Sequence, residues 1–134
     1  MGRRLALLLL PAALAPACAP VPAARPAARV GAEQVLSLAA SQVRRCYRSP
    51  RVSFEGRQIV TRLRVRFTGD GQLAQLPVVI AQLGVTARNE PYAGRMAEAA
   101  IGAVLRCTPL RLPEGVPANS AFAFDLTFSP LAPA

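Results

Sequence analysis

The chain has 134 residues, which suits one small domain behind a targeting segment and little else. Its formal charge is +9, but every basic residue is an arginine, so a coding bias toward alanine, proline and arginine explains part of the excess. There is also no histidine, which excludes a Ser-His or Cys-His catalytic dyad and removes the commonest metal ligand.

Residues 1–19 have the pattern of a secretory signal. Arg3 and Arg4 form a positive start, residues 5–10 form an apolar run, and small residues follow. The apolar stretch is interrupted by prolines and is shorter than the roughly 20 residues that span a membrane. We therefore expect export to the periplasm, and an exported protein is not expected to bind nucleic acid.

The position of Cys18 is compatible with two kinds of signal sequence, a cleaved signal peptide and a lipoprotein signal. Ala15-Pro16-Ala17 and Ala17-Cys18-Ala19 both satisfy the small-x-small rule for signal cleavage. A cysteine at this place also resembles the lipid-accepting residue of a bacterial lipoprotein. Plain cleavage and lipidation of Cys18 both stay as hypotheses, and such a lipid is the only membrane attachment we expect. The alanine- and proline-rich residues 20–32 are predicted to be a disordered tether.

Cys46 and Cys107 remain in the domain itself. In an oxidising compartment two such cysteines are usually bridged. Closing a loop of this length stabilises a fold by roughly 4 kcal/mol in the chain-entropy treatment. We predict a disulfide, and the alternative is a pair of buried free thiols.

The hydrophobic pattern predicts an α+β domain at residues 33–130, followed by a tail at 131–134. Gly69-Asp70-Gly71 indicates a hairpin turn, and Asn89 is expected to cap the second helix. The order α-β-β-α-β indicates a small antiparallel sheet of about three strands with both helices on one side. The predicted elements are a helix from about Ala32 to Tyr47, strands over 58–68 and 73–80, a helix over 90–107 and a strand over 121–128.

Two surfaces are candidates for partner binding, and each has a simpler interpretation. Arg62, Arg64 and Arg66 occupy every second position of the first strand. They are interpreted either as a cationic ladder that binds an acidic partner or as an ordinary solvated face. Phe122 and Phe124 alternate along the last strand, as an edge that accepts a partner strand or as core residues.

Catalytic chemistry is not expected. The seven acidic residues are scattered, and no two stand at the helical spacings that would bring them together. We expect no catalytic centre, metal site or cofactor, so that binding is the predicted role. A small periplasmic enzyme or ligand carrier is the less favoured alternative.

Taken together, the motifs resemble the C-terminal domain of TolA, within the wider TolA/TonB C-terminal group. The resemblance covers roughly residues 33–130. The motifs that carry it are Arg45-Cys46-Tyr47, Val65-Arg66-Phe67, Gly69-Asp70-Gly71, Ala99-Ala100-Ile101, Arg106-Cys107 with Pro109, and Leu126-Thr127-Phe128 with Pro130.

The resemblance implies a disulfide between the two helices and a periplasmic domain that binds envelope proteins such as TolB or Pal. A TonB-like domain that contacts outer-membrane transporters is the alternative. A full TolA carries a membrane helix and a long helical stalk, whereas here a tether of about a dozen residues spans at most about 45 Å. We therefore expect a free-standing or lipid-anchored adaptor of the Tol–Pal type.

Overall fold

The computed structural model of the protein describes residues 31–130. The predictions for the signal segment, for Cys18, for the tether up to residue 30 and for the tail at 131–134 lie outside these residues. The elements are α1 (Ala32–Cys46), β1 (Val60–Thr68), β2 (Val78–Leu83), α2 (Ala93–Cys107) and β3 (Ala121–Phe128), with short 3₁₀ turns at Gly56–Gln58 and Glu90–Tyr92.

The three strands form an antiparallel sheet in the order β2-β1-β3, so the first strand of the chain is the central one. Its residues alternate as predicted: Leu63, Val65 and Phe67 are fully buried, and the arginines between them are exposed. Both helices cover the buried face of the sheet. This confirms the predicted α+β class. The helix residues in the core are Val35, Ala39 and Val43 of α1 and Met96, Ala100, Ala103 and Val104 of α2.

The predicted disulfide is present. Cys46 and Cys107 are the last residues of α1 and α2, and their Cα atoms are 5.8 Å apart. The bond therefore joins the C-terminal ends of the two helices, just beyond the last core residue of each.

The second strand differs from the prediction. Residues 73–80 were expected to pair, but the regular strand is Val78–Leu83, and Leu73 makes only an isolated bridge with Phe67. The predicted turn does form, because the Gly71 N–H donates to the Thr68 carbonyl at 2.9 Å. Beyond it the chain leaves the sheet at a bend and returns only after Pro77, whose missing N–H suits a position before the strand.

The role of Asn89 also differs from the predicted helix cap, because its side chain makes no cap hydrogen bond. It is fully buried and makes three hydrogen bonds, two within its own loop and one to a separate turn. Its Oδ1 accepts from the Thr86 N–H at 2.7 Å, and its Nδ2 donates to the carbonyls of Gly84 at 2.8 Å and Glu55 at 3.0 Å. Asn89 therefore ties the loop before α2 to the turn before β1.

Candidate partner-binding edge

The sheet has an open edge along β3. This strand pairs with β1 over eight consecutive residues, from Thr61 opposite Phe128 to Thr68 opposite Ala121, with no shift in register. Within residues 31–130 no strand pairs with its other side. A long regular strand of this kind presents a row of free backbone donors and acceptors.

The register shows which backbone groups face outward. The Gly69 N–H donates to the Ser120 carbonyl at 2.8 Å, so this opposed pair is hydrogen-bonded. Hydrogen-bonded and non-hydrogen-bonded pairs alternate in an antiparallel ladder. The N–H and C=O groups of Ala121, Ala123, Asp125 and Thr127 therefore point away from β1, toward the open edge.

The other edge, along β2, is less suited to strand addition. It is six residues long, and its register with β1 shifts between Arg62 and Leu63, which leaves Ile80 without a partner. Pro77 precedes it directly. Bulges, short length and proline are the usual means by which proteins protect an edge strand from pairing.

A groove lies beside the β3 edge, between α1 and the second half of β3. Its volume is about 630 Å³. Leu36, Ala40 and Val43 form its apolar wall on α1, and the exposed Arg44 stands beside them. Asp125 and Thr127 also border it although their side chains lie on the opposite face of the sheet, so the groove opens at the edge itself.

Tyr47 forms the end of this groove. Its ring lies 5.4 Å from the ring of Phe128 at an angle of 44°, which fixes the last residue of β3 against the chain that leaves α1. Burial raises the pKa of the Tyr47 phenol above its ordinary value, so it is neutral at physiological pH. The site therefore offers backbone pairing along one side and an apolar wall along the other.

Phe122 and Phe124 lie on the helix-facing side of β3 and are half-buried. The ring of Phe124 stacks on that of Phe67 at 5.8 Å and 26°. These two aromatics thus help to hold the edge strand on the core. Their predicted role in contacting a partner stays a prediction.

Arg62, Arg64 and Arg66 lie on the opposite face of the sheet from the two phenylalanines, so the two predicted surfaces do not meet. Arg64 Nε donates to Asp125 Oδ1 at 2.9 Å, and Arg62 comes within 3.9 Å of the same carboxylate. The hydrogen bond from Arg64 holds the pKa of Asp125 below its ordinary value.

Sequence reasoning found the strand but missed the groove. Leu36 and Ala40 are one helical turn apart, next to the core-facing positions, which is a weak signal of a partly exposed apolar strip. Tyr47 follows the end of α1, and nothing local in the sequence indicates that it packs against Phe128.

No family model, curated protein or solved structure matches this chain. In the part of the chain that the structure covers, no helix is long and apolar enough to span a bilayer. Across residues 31–130, no three or more acidic or cysteine side chains are grouped so as to hold a metal ion.

Proposed function

We propose that this protein is a non-enzymatic binding domain of the bacterial cell envelope, a periplasmic adaptor similar to the C-terminal domain of TolA. It binds an extended segment of another envelope protein, a TolB- or Pal-like partner, as an additional strand on β3. The observation that supports this most directly is the regular, unpaired edge of β3 beside an apolar groove.

The geometry suits an extended segment because strand addition needs both free backbone groups along an edge and a surface that receives alternate side chains. Backbone hydrogen bonds from the four outward-facing residues of β3 supply affinity that does not depend on the partner's sequence. Alternate side chains of the added strand lie on the helix side of the sheet, where the groove wall of α1 receives them. Apolar residues at every second position of the partner are therefore preferred.

The decisive substitution is Ala123→Pro. The Ala123 N–H faces the open edge, so proline removes an outward donor while the hydrogen bonds between β3 and β1 remain. Ala123→Thr is the matched control, because threonine keeps the N–H and suits a strand. Both variants are expected to remain folded, with circular dichroism and melting temperature close to those of the unsubstituted protein.

Chemical crosslinking of intact envelopes, followed by purification of the protein, measures the interaction. We expect Tol–Pal or other periplasmic proteins to be recovered with the unsubstituted protein and with Ala123→Thr, and to be lost with Ala123→Pro. Recovery of no envelope protein would contradict the proposed function. Equal recovery with Ala123→Pro would place the binding surface elsewhere than β3.

A further inference from the structure

The face of the sheet that points away from the helices, here called the outer face, is not covered by any element among residues 31–130. Residues directly opposite each other in a ladder lie on the same face. The register therefore places three rows side by side on it. They are Leu83, Ala81 and Val78 on β2, then Val60, Arg62, Arg64 and Arg66 on β1, then Thr127, Asp125, Ala123 and Ala121 on β3.

The charge on this face is one-sided. The three strands carry three arginines and a single acid, Asp125, whose carboxylate is already shared by Arg64 and Arg62. Arg66 makes no ion pair with any residue that the structure describes. Alternate residues of a strand are about 6.7 Å apart, so the three arginine side chains leave β1 at evenly spaced positions on the same face.

The neighbouring row is apolar and exposed. Val78, directly opposite Arg64, is 48% exposed, and Leu83, directly opposite Val60, is 54% exposed. Leu76, just before β2, is 72% exposed. Aliphatic side chains beside a row of arginines suit the boundary between lipid headgroups and acyl chains, where phosphates and hydrocarbon are both within reach. An acidic protein surface would use the arginines alone.

We propose that the outer face binds the surface of an anionic phospholipid bilayer, with the arginine row on the headgroup phosphates and Val78 and Leu83 at the acyl boundary. This surface and the α1 wall of the groove lie on opposite sides of the sheet, and they meet only at the β3 edge, where Asp125 and Thr127 border the groove. Membrane contact through it does not rest on partner binding at β3, or on a lipid attached to Cys18.

The test uses the exported protein with Cys18→Ser, so that no lipid can be attached there, and co-sedimentation with vesicles. Neutral phosphatidylcholine vesicles are compared with mixed phosphatidylcholine and phosphatidylglycerol vesicles. We expect binding to the anionic vesicles only, and weaker binding as salt is raised. Equal binding to both vesicle types, or binding to neither, would overturn the proposal.

Two double variants distinguish binding through this face from a general effect of the protein's net charge. Arg62→Gln with Arg66→Gln leaves the Arg64–Asp125 pair intact and should weaken binding at least about tenfold. Arg95→Gln with Arg111→Gln removes the same charge from exposed positions outside the sheet and should have little effect. An equal loss with both pairs would show a net-charge effect and contradict the proposal.

The double variant Val78→Ser with Leu83→Ser tests the contribution of the apolar residues on the outer face. Soluble poly-glutamate tests whether an acidic protein, rather than a bilayer, binds this face. We expect the serine pair to weaken vesicle binding severalfold, and poly-glutamate to bind more weakly than the anionic vesicles do. Poly-glutamate binding as tight as vesicle binding, with no effect of the serine pair, would assign the face to an acidic protein instead.

Discussion

Arg64 and Asp125 form a two-pronged ion pair across the junction between the central strand and the open edge strand. Arg64 Nε and Nη2 donate to the two carboxylate oxygens of Asp125 at 2.9 and 3.1 Å. The two residues are directly opposite in the ladder, in a non-hydrogen-bonded pair, where opposed side chains come closest. Asp125 is also the one acidic residue in the three strands, so this pair partly neutralises the arginine row on the outer face.

Asp125→Asn tests the pH dependence of this pair. Arg64 lowers the folded-state pKa of Asp125 below its ordinary value of 3.8. The ionised form thus stabilises the fold above the ordinary pKa, and this contribution is lost as the pH falls through the folded-state value. Thermal melts should show a small deficit in the variant at neutral pH that disappears in acid. If Asp125→Asn has the same effect in an Arg64→Gln background, the pair is not its source.

Removing the disulfide should have the largest effect on stability. The variant Cys46→Ala with Cys107→Ala opens a link between residues 61 positions apart. We expect the free energy of unfolding to fall by about 4 kcal/mol, because the unfolded chain regains the entropy of the closed loop. Guanidinium denaturation measures this change. Cys18→Ala is the control and should leave the midpoint unchanged, while alkylation of Cys46 and Cys107 without reductant would contradict the disulfide.

Asn89→Ala removes one donor group and one acceptor from the buried junction before α2. The carbonyls of Glu55 and Gly84 and the N–H of Thr86 would each lose a partner. We expect a loss of roughly 2–4 kcal/mol in urea denaturation, because unsatisfied buried polar groups are costly. Asn119→Ala, at an exposed position, should change stability by less than about 0.5 kcal/mol. Equal effects of the two variants would show that the buried contacts contribute little.

Gly71→Ala should destabilise the fold, and Gly94→Ala should not. Gly71 has a φ of +83°, and a Cβ there would collide with the Leu110 carbonyl oxygen. Left-handed backbone alone costs an alanine roughly 1–2 kcal/mol, and the close contact adds to it. Gly94 lies in α2 with nothing within 4 Å of an added Cβ, so alanine should stabilise by up to about 1 kcal/mol. Thermal melts of the two variants should therefore shift in opposite directions.

Features that depend on local periodicity could be predicted from the sequence. The alternation of Leu63, Val65 and Phe67 with arginines defines one buried and one exposed face without any knowledge of the neighbours. The disulfide could be predicted from the pattern of the first residues, read as an export signal, together with the number of cysteines. The α+β class follows from the order of these elements.

Features that depend on neighbours in space could not be predicted in the same way. The apolar run around Val78, Val79 and Ile80 has no alternation, because in a bulged edge strand all three side chains are exposed. The sequence pattern therefore predicts this strand at 73–80, several residues too early in the chain. Asn89 has the position of a helix cap, and only the fold brings Glu55 and Gly84 close enough to bind its side chain instead.

The position of β3 in the chain has a consequence for biogenesis. The central strand β1 precedes both of its partners, and Thr61 pairs with Phe128, close to the C-terminus of the described residues. In a chain that has been made only as far as β2, the one strand available to pair with β1 is β2, and the β3 side of β1 has no partner. A protein truncated before Ala121 would leave β1 with unpaired donors and acceptors beside an apolar face, a template for association with other chains.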